Sequence, residues 1–157
     1  MPTEFMTEER VQKISREEMV RLLNEDLARE YQAIIAYTVY SQTLKGAAYT
    51  DIARELEVHA AEELAHALKL SKQISYFGGM PEVWPKEVRR SEDPKEMLRF
   101  DLENERITLV NYRERIQQAE AMGEYALSEI LREIVVQEQE HLIDLSDALG
   151  IDPPEID

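Results

Sequence analysis

The sequence contains no cysteine, which excludes both a disulfide framework and any thiolate metal site. Metal chemistry, if present, must rest on oxygen and nitrogen donors. Glycine is scarce, with 5 residues, and the 6 prolines fall near the ends or in two short stretches, so helix breakers are missing from most of the length. Long helices are expected. No run of about 18 apolar residues occurs, and the start, MPTEFMTEER, is not a basic stretch followed by an apolar one. Neither a membrane span nor a secretory signal is predicted, and the expected location is cytoplasmic. Basic residues are also in deficit. With 18 Lys and Arg against 33 Asp and Glu, the net charge of −15 argues against nucleic acid as a partner, because that affinity draws on phosphate contacts. Cations suit the chain better.

What is present is helical periodicity in a chain of 157 residues, of which 43% are hydrophobic, enough for one core. Residues 1–14 read as an N-terminal extension, 15–150 as a single all-α domain and 151–157 as a tail. Ser15-Arg16-Glu17-Glu18 reads as a capping box, and Met19, Leu22, Leu23, Leu27, Ile34 and Tyr37 follow at helical spacing until about Gly46. A second run from about Thr50 to Phe77 carries Ile52, Leu56, Leu64, Leu68 and Ile74 and stops at Gly78-Gly79 and Pro81. Asp93-Pro94-Lys95-Glu96 starts a third helix, running to about Met122, and a fourth spans roughly Glu124 to Leu149. Each has about 25 residues, or roughly 37 Å, and matched lengths predict a four-helix bundle. The long 78–92 loop can run along such a bundle, giving a ferritin-like crossover between helices two and three.

The two halves repeat. Asp26, Leu27, Glu30, Tyr37, Glu63 and His66 recur 75 positions later, without a gap, as Asp101, Leu102, Glu105, Tyr112, Glu138 and His141. Residues three apart on a helix are neighbours, so Glu63 and His66 share a face, as do Glu138 and His141. Each half contributes one lone Glu, Glu30 or Glu105, and one Glu-x-x-His. Leu27, Ile34, Leu64, Ala65, Ala67, Leu102, Leu109, Leu142 and Leu145 are expected around them. Four carboxylates in such a core repel one another and are desolvated, whereas two divalent cations balance them and two neutral imidazoles complete the coordination. A single Glu-x-x-His reads as solvent-facing residues of an acidic protein, but its duplication with two matching glutamates predicts a dinuclear metal centre.

On these residues the chain resembles the ferritin-like superfamily, and most closely bacterioferritin, across Leu22 to Leu149. The segments carrying the likeness are Leu23-Asn24-Glu25-Asp26-Leu27-Ala28-Arg29-Glu30, Glu63-Leu64-Ala65-His66-Ala67 and Glu138-Gln139-Glu140-His141. The resemblance implies that Glu63 and Glu138 bridge two irons, that Glu30 and Glu105 are terminal ligands, and that His66 and His141 hold one iron each. It implies a ferroxidase that oxidises Fe(II) with O2 or H2O2 and stores ferric mineral in a homo-oligomeric shell built from dimers. Manganese or zinc suits oxygen and imidazole donors nearly as well. Two departures stand out. Leu64 occupies the position of the family's haem-ligating methionine, so no haem is expected by that route. The chain ends 16 residues after His141, which leaves little for a fifth helix, so a Dps-like dodecamer is as plausible as the larger shell of roughly 24 subunits.

Tyr37, two turns after Glu30, matches a family tyrosine beside the dinuclear centre and is the candidate for a redox role; Tyr112 reads as core. His59, seven residues before His66, is expected to be an ordinary polar residue rather than part of a third metal site. Trp84 is expected to anchor the crossover or pack at a subunit contact. Two other function classes remain open: a diiron or dimanganese peroxidase or catalase without storage, and a non-catalytic helical binding protein.

Overall fold

In the computed structural model, which describes residues 13–157, helix α1 spans Arg16–Thr43, α2 Thr50–Tyr76, α3 Pro94–Ala121 and α4 Tyr125–Leu149, with a single 3-10 turn at Ala47–Tyr49. The expected N-terminal extension therefore lies outside the described residues except for Lys13 and Ile14. Both strong start signals act as caps. Ser15 accepts from the Glu18 amide at 3.0 Å and Asp93 from the Lys95 amide at 3.3 Å, with Pro94 opening α3. The box at Ser15 is only half made, because the Glu18 carboxylate turns outward to Arg21, at 2.6 and 2.9 Å. Gly79 closes α2 where no side chain fits: a Cβ there would lie 2.4 Å from Val20 Cγ1. Gly123 makes the tight turn into α4 at φ +78°.

Helices α1 and α2 form one hairpin and α3 and α4 the other, and these are the most extensive contacts of the bundle. Between hairpins, Glu30 meets Tyr112 while Tyr37 meets Glu105, so α1 and α3 are antiparallel. His66 beside Glu138 and His141 beside Glu63 show the same for α2 and α4. That topology makes α2 and α3 parallel, so their connection must travel the length of the bundle. It does so along α1. Asn24 bonds the Met80 carbonyl and the Glu82 amide, the Lys86 amide bonds the Ala28 carbonyl, Gln32 the Glu87 carbonyl, and the Tyr40 hydroxyl the Arg89 carbonyl.

Two apolar clusters fill the bundle. One contains Met19, Leu23, Leu27, Leu70, Ile74, Leu127, Leu131 and Ile134, the other Ala36, Tyr40, Ile52, Leu56, Met97, Leu98 and Leu145. Each fully buried leucine contributes on the order of 2 kcal/mol, and the charged layer lies between the two clusters. Leu64 and Leu68 depart from expectation, being 52% and 64% exposed, and Ala65 is exposed as well. Only the side of α2 that carries Glu63, His66, Ala67 and Leu70 faces inward. Trp84, 74% exposed, does not anchor the crossover within the chain. Among the described residues no helix is long and apolar enough to cross a membrane.

Candidate metal centre

One side chain from α1 and one from α3, and two each from α2 and α4, converge between the apolar clusters. Glu30, Glu63, His66, Glu105, Glu138 and His141 are all at most 2% exposed. His66 Nδ1 lies 2.8 Å from Glu138 Oε1, 3.6 Å from Glu30 Oε2 and 3.8 Å from Glu63 Oε1. The other half repeats the pattern. His141 Nδ1 lies 2.8 Å from Glu63 Oε1, 3.5 Å from Glu105 Oε1 and 4.0 Å from Glu138 Oε1. Donor atoms of Glu30, Glu63, His66 and Glu138 lie within 4.8 Å of one another, and so do those of Glu63, Glu105, Glu138 and His141. Glu63 and Glu138 belong to both groups, the geometry that two adjacent cations sharing two carboxylates require.

The protein leaves this cluster unsatisfied. Glu30 Oε2, Glu63 Oε1, Glu105 Oε2, both oxygens of Glu138 and the Nδ1 atoms of both histidines are buried without a hydrogen bond of good geometry, the 2.8 Å histidine–carboxylate contacts included. Each such atom costs about 1–3 kcal/mol, so their concentration in one layer is not a packing solution. Burial, and then Glu138, push the Glu63 carboxyl well above its usual range; burial, and then Glu105, do the same to Glu138. For Glu105 burial also acts upward, but the proximity of Glu138 and His141 and the hydrogen bond from Tyr37 outweigh it and hold the group down at about 2. Burial opposes charge on His66 and His141, yet the surrounding carboxylates raise them to about 11 and about 9. Without cations the cluster keeps protons instead. Divalent cations neutralise the carboxylates and take up the free lone pairs, so the donor set fits a pair of them.

The supporting residues act crosswise. Tyr37 of the first half donates to Glu105 of the second at 2.5 Å, and Tyr112 of the second donates to Glu30 of the first. Tyr112 is thus a partner of the centre, not merely the core residue that the sequence suggests. Behind the histidines, His66 Nε2 meets Gln137 Oε1 at 2.5 Å and His141 Nε2 meets Glu62 Oε2 at 3.4 Å. These bonds fix which nitrogen faces inward. Sequence reasoning missed this pair, although Glu62 and Gln137 are themselves 75 positions apart and precede the two Glu-x-x-His motifs.

Further out the halves differ. Asp26 is gripped by Arg115, with Nε to Oδ2 at 2.7 Å and a second bond at 3.1 Å, both residues buried. Its repeat partner Asp101 is equally buried but has an unbonded Oδ2, and burial followed by Glu105 pushes its carboxyl well up. His59 is not the ordinary polar residue expected from sequence. It is 0% exposed, its ring stacks on that of His141 at 3.9 Å between centroids, and its Nε2 meets Asp144 Oδ2 at 3.0 Å.

A family model, the Ferritin-like domain, matches residues 20–152. Bacterioferritin of Brucella melitensis is 27% identical over 125 residues, which cover 79% of this chain and 78% of the relative. A ferritin-like, diiron-carboxylate protein of Bacillus anthracis superposes with a TM-score of 0.83 at 33% identity, covering 87% of this chain and 99% of that one. The dodecameric thioferritin of Bacteroides fragilis, a bacterioferritin-related protein, superposes at 0.81 with 27% identity and 88% of each chain covered. With its motifs, its bundle and its convergent carboxylates and histidines accounted for in the same way, the chain belongs to the ferritin-like domain family and stands close to bacterioferritin.

Proposed function

We propose that this protein oxidises Fe(II) at the dinuclear centre and holds the ferric product within a homo-oligomeric shell. The observation that carries this reading is the set of partnerless buried donors on Glu30, Glu63, His66, Glu105, Glu138 and His141, arranged as two groups that share Glu63 and Glu138. The family's bacterioferritins and diiron-carboxylate proteins support iron over manganese or zinc, which the donor set alone would accept. Acidity of the chain favours collection of the cationic substrate. The dodecameric relative supports a closed assembly.

In this reading Glu30, Glu63, His66 and Glu138 would hold one metal and Glu63, Glu105, Glu138 and His141 the other, with Glu63 and Glu138 serving both. Iron bound there supplies one-electron chemistry toward O2 or H2O2. The chain's own part is to hold and move protons. As cations enter, His66 and His141 give up theirs, and so do the carboxyls of Glu63 and Glu138, which makes loading pH-dependent. The apolar clusters on both sides keep bulk water from the reacting layer. Tyr37 is the redox candidate: its phenol is buried beside the six donors, and Glu105 Oε1 is placed to accept the proton were the ring to give an electron to the O2 or H2O2 being reduced at the centre.

Aerobic addition of Fe(II) to the metal-free protein tests the proposal. Expected are oxidation faster than in buffer alone and ferric iron that elutes with a shell-sized particle. Oxidation no faster than in buffer overturns the ferroxidase reading, and rapid peroxide turnover by a small dimer that retains no iron replaces storage with peroxidase or catalase chemistry.

A further inference from the structure

The internal repeat breaks at one end of the bundle. At the positions 75 residues away from Glu55, His59 and Asp144 the chain has Ile130, Ile134 and Lys69, and opposite Asp51 and Asp147 it has Ala126 and Lys72. Ile134 fills its place in the apolar cluster as an ordinary core residue. His59 fills the equivalent place far less economically: the ring is fully buried, only Nε2 has a partner and Nδ1 has none. A buried unpartnered nitrogen costs about 1–3 kcal/mol, so packing favours the isoleucine. What the histidine gains is position. Its Nε2 meets Asp144, which lines a surface depression together with Asp51, Ile52, Glu55 and Asp147, and none of the lining residues is basic.

We propose that Glu55, His59 and Asp144 bind one divalent transition-metal cation at this end of the bundle, separate from the dinuclear centre. His59 Nε2 lies 3.0 Å from Asp144 Oδ2 and 3.8 Å from Glu55 Oε1, and donor atoms of all three lie within 4.8 Å of one another. Bonds of about 2.1 Å to one ion, meeting at roughly 90° to 130°, separate donors by about 3.0 to 3.8 Å. The side chains of Glu55 and Asp144 are 47% and 37% exposed, so water completes the coordination and the ion exchanges with solvent. An imidazole with two carboxylates selects first-row divalent ions over magnesium and calcium, with affinity rising from manganese and iron toward zinc. The His59 ring stacked on His141 places this ion one side chain away from the centre, a holding position for a cation on the way in. Binding at this position does not depend on the oxidation chemistry proposed above.

Zinc(II) titration by calorimetry, in excess magnesium to suppress diffuse surface binding, tests it on the full chain. The wild type is expected to take one equivalent more than Glu55→Gln/Asp144→Asn, and His59→Ile, which copies the other half, is expected to lose the same equivalent. Glu63→Gln/Glu138→Gln is expected to keep that one equivalent alone. Unchanged stoichiometry in Glu55→Gln/Asp144→Asn, whose substituted side chains are partly exposed and carry little of the fold, overturns the proposal. Retention of the outer equivalent with no zinc at the centre of the wild type would count against the dinuclear reading instead.

Discussion

The two halves of this bundle agree in the carboxylates and imidazoles that converge at its centre and disagree in what stands behind them. Glu30, Glu63 and His66 have the same burial and nearly the same spacings as Glu105, Glu138 and His141. Their surroundings diverge. Gln137, neutral, backs His66, while Glu62, acidic, backs His141; Asp26 has Arg115, while at the position equivalent to Arg115 the first half has Tyr40, which bonds the crossover and leaves Asp101 without a cation. One end is packed with Ile130 and Ile134, while the other has His59 beside Glu55 and Asp144. Donors are constrained by what they must hold. The residues behind them have only to satisfy local packing and charge, and each half does so differently.

The largest test of the shared part is Glu63→Gln. Because that carboxylate belongs to both groups of donors, its loss is expected to empty both metal positions, not one, as read by metal content after reconstitution; retention of one metal would show that the halves act separately. Arg115→Met should break the unlike part. It leaves Asp26 buried and unpaired, with an expected cost of about 3 kcal/mol in denaturant unfolding, against about 1 kcal/mol for Tyr40→Phe, which removes one hydrogen bond. Equal costs would mean that the asymmetry around the two aspartates carries no energy. Exchanging the groups behind the histidines, Glu62→Gln or Gln137→Glu, is expected to change metal affinity by about tenfold in opposite directions, since the carboxylate makes its imidazole the stronger base. Tyr37→Phe should slow single-turnover iron oxidation several-fold more than Tyr112→Phe; equal effects would assign both tyrosines to hydrogen bonding alone.

A test of the whole charged layer is the pH dependence of melting in metal-free protein. His66 and His141 sit at about 11 and about 9 in the fold, above their ordinary 6.5. Their contribution is therefore complete below about 6.5 and is lost as pH rises through 9 and then 11. Glu63 and Glu138, also raised, act in the same direction. The melting temperature of the metal-free protein should fall between pH 6.5 and 9. Metal-loaded protein, whose ligands are already deprotonated, should hold its melting temperature over that range and exceed the metal-free form throughout. A metal-free form that melts higher at pH 9 than at 6.5 would contradict the charge pattern described here.

Helix order, crossover and bundle were legible because breakers, caps and periodicity agree along the whole chain, as at Ser15 and at Asp93-Pro94. The convergence of six side chains was legible because the repeat superposes without a gap. The crosswise contacts were not. Tyr112 reaches Glu30 and Arg115 reaches Asp26 only after the hairpins dock, and no spacing within one helix announces a partner on another. Leu64 and Leu68 were misplaced for a related reason: apolar spacing identifies a helix but not which side of it turns inward. His59 looked ordinary because its significance lies in Asp144, on α4, and in the absence of a counterpart at Ile134.

The crossover pinned along α1 has a consequence beyond connecting two hairpins. Two separate copies of one hairpin could form this centre only as a symmetric pair, and every change at one end would then appear at the other. Joined in a single chain, the halves can drift independently while the ligands stay fixed. The bundle thereby acquires two unlike ends, one packed with isoleucines and one carrying His59 with partly exposed acids, a difference that a true dimer of hairpins could not have.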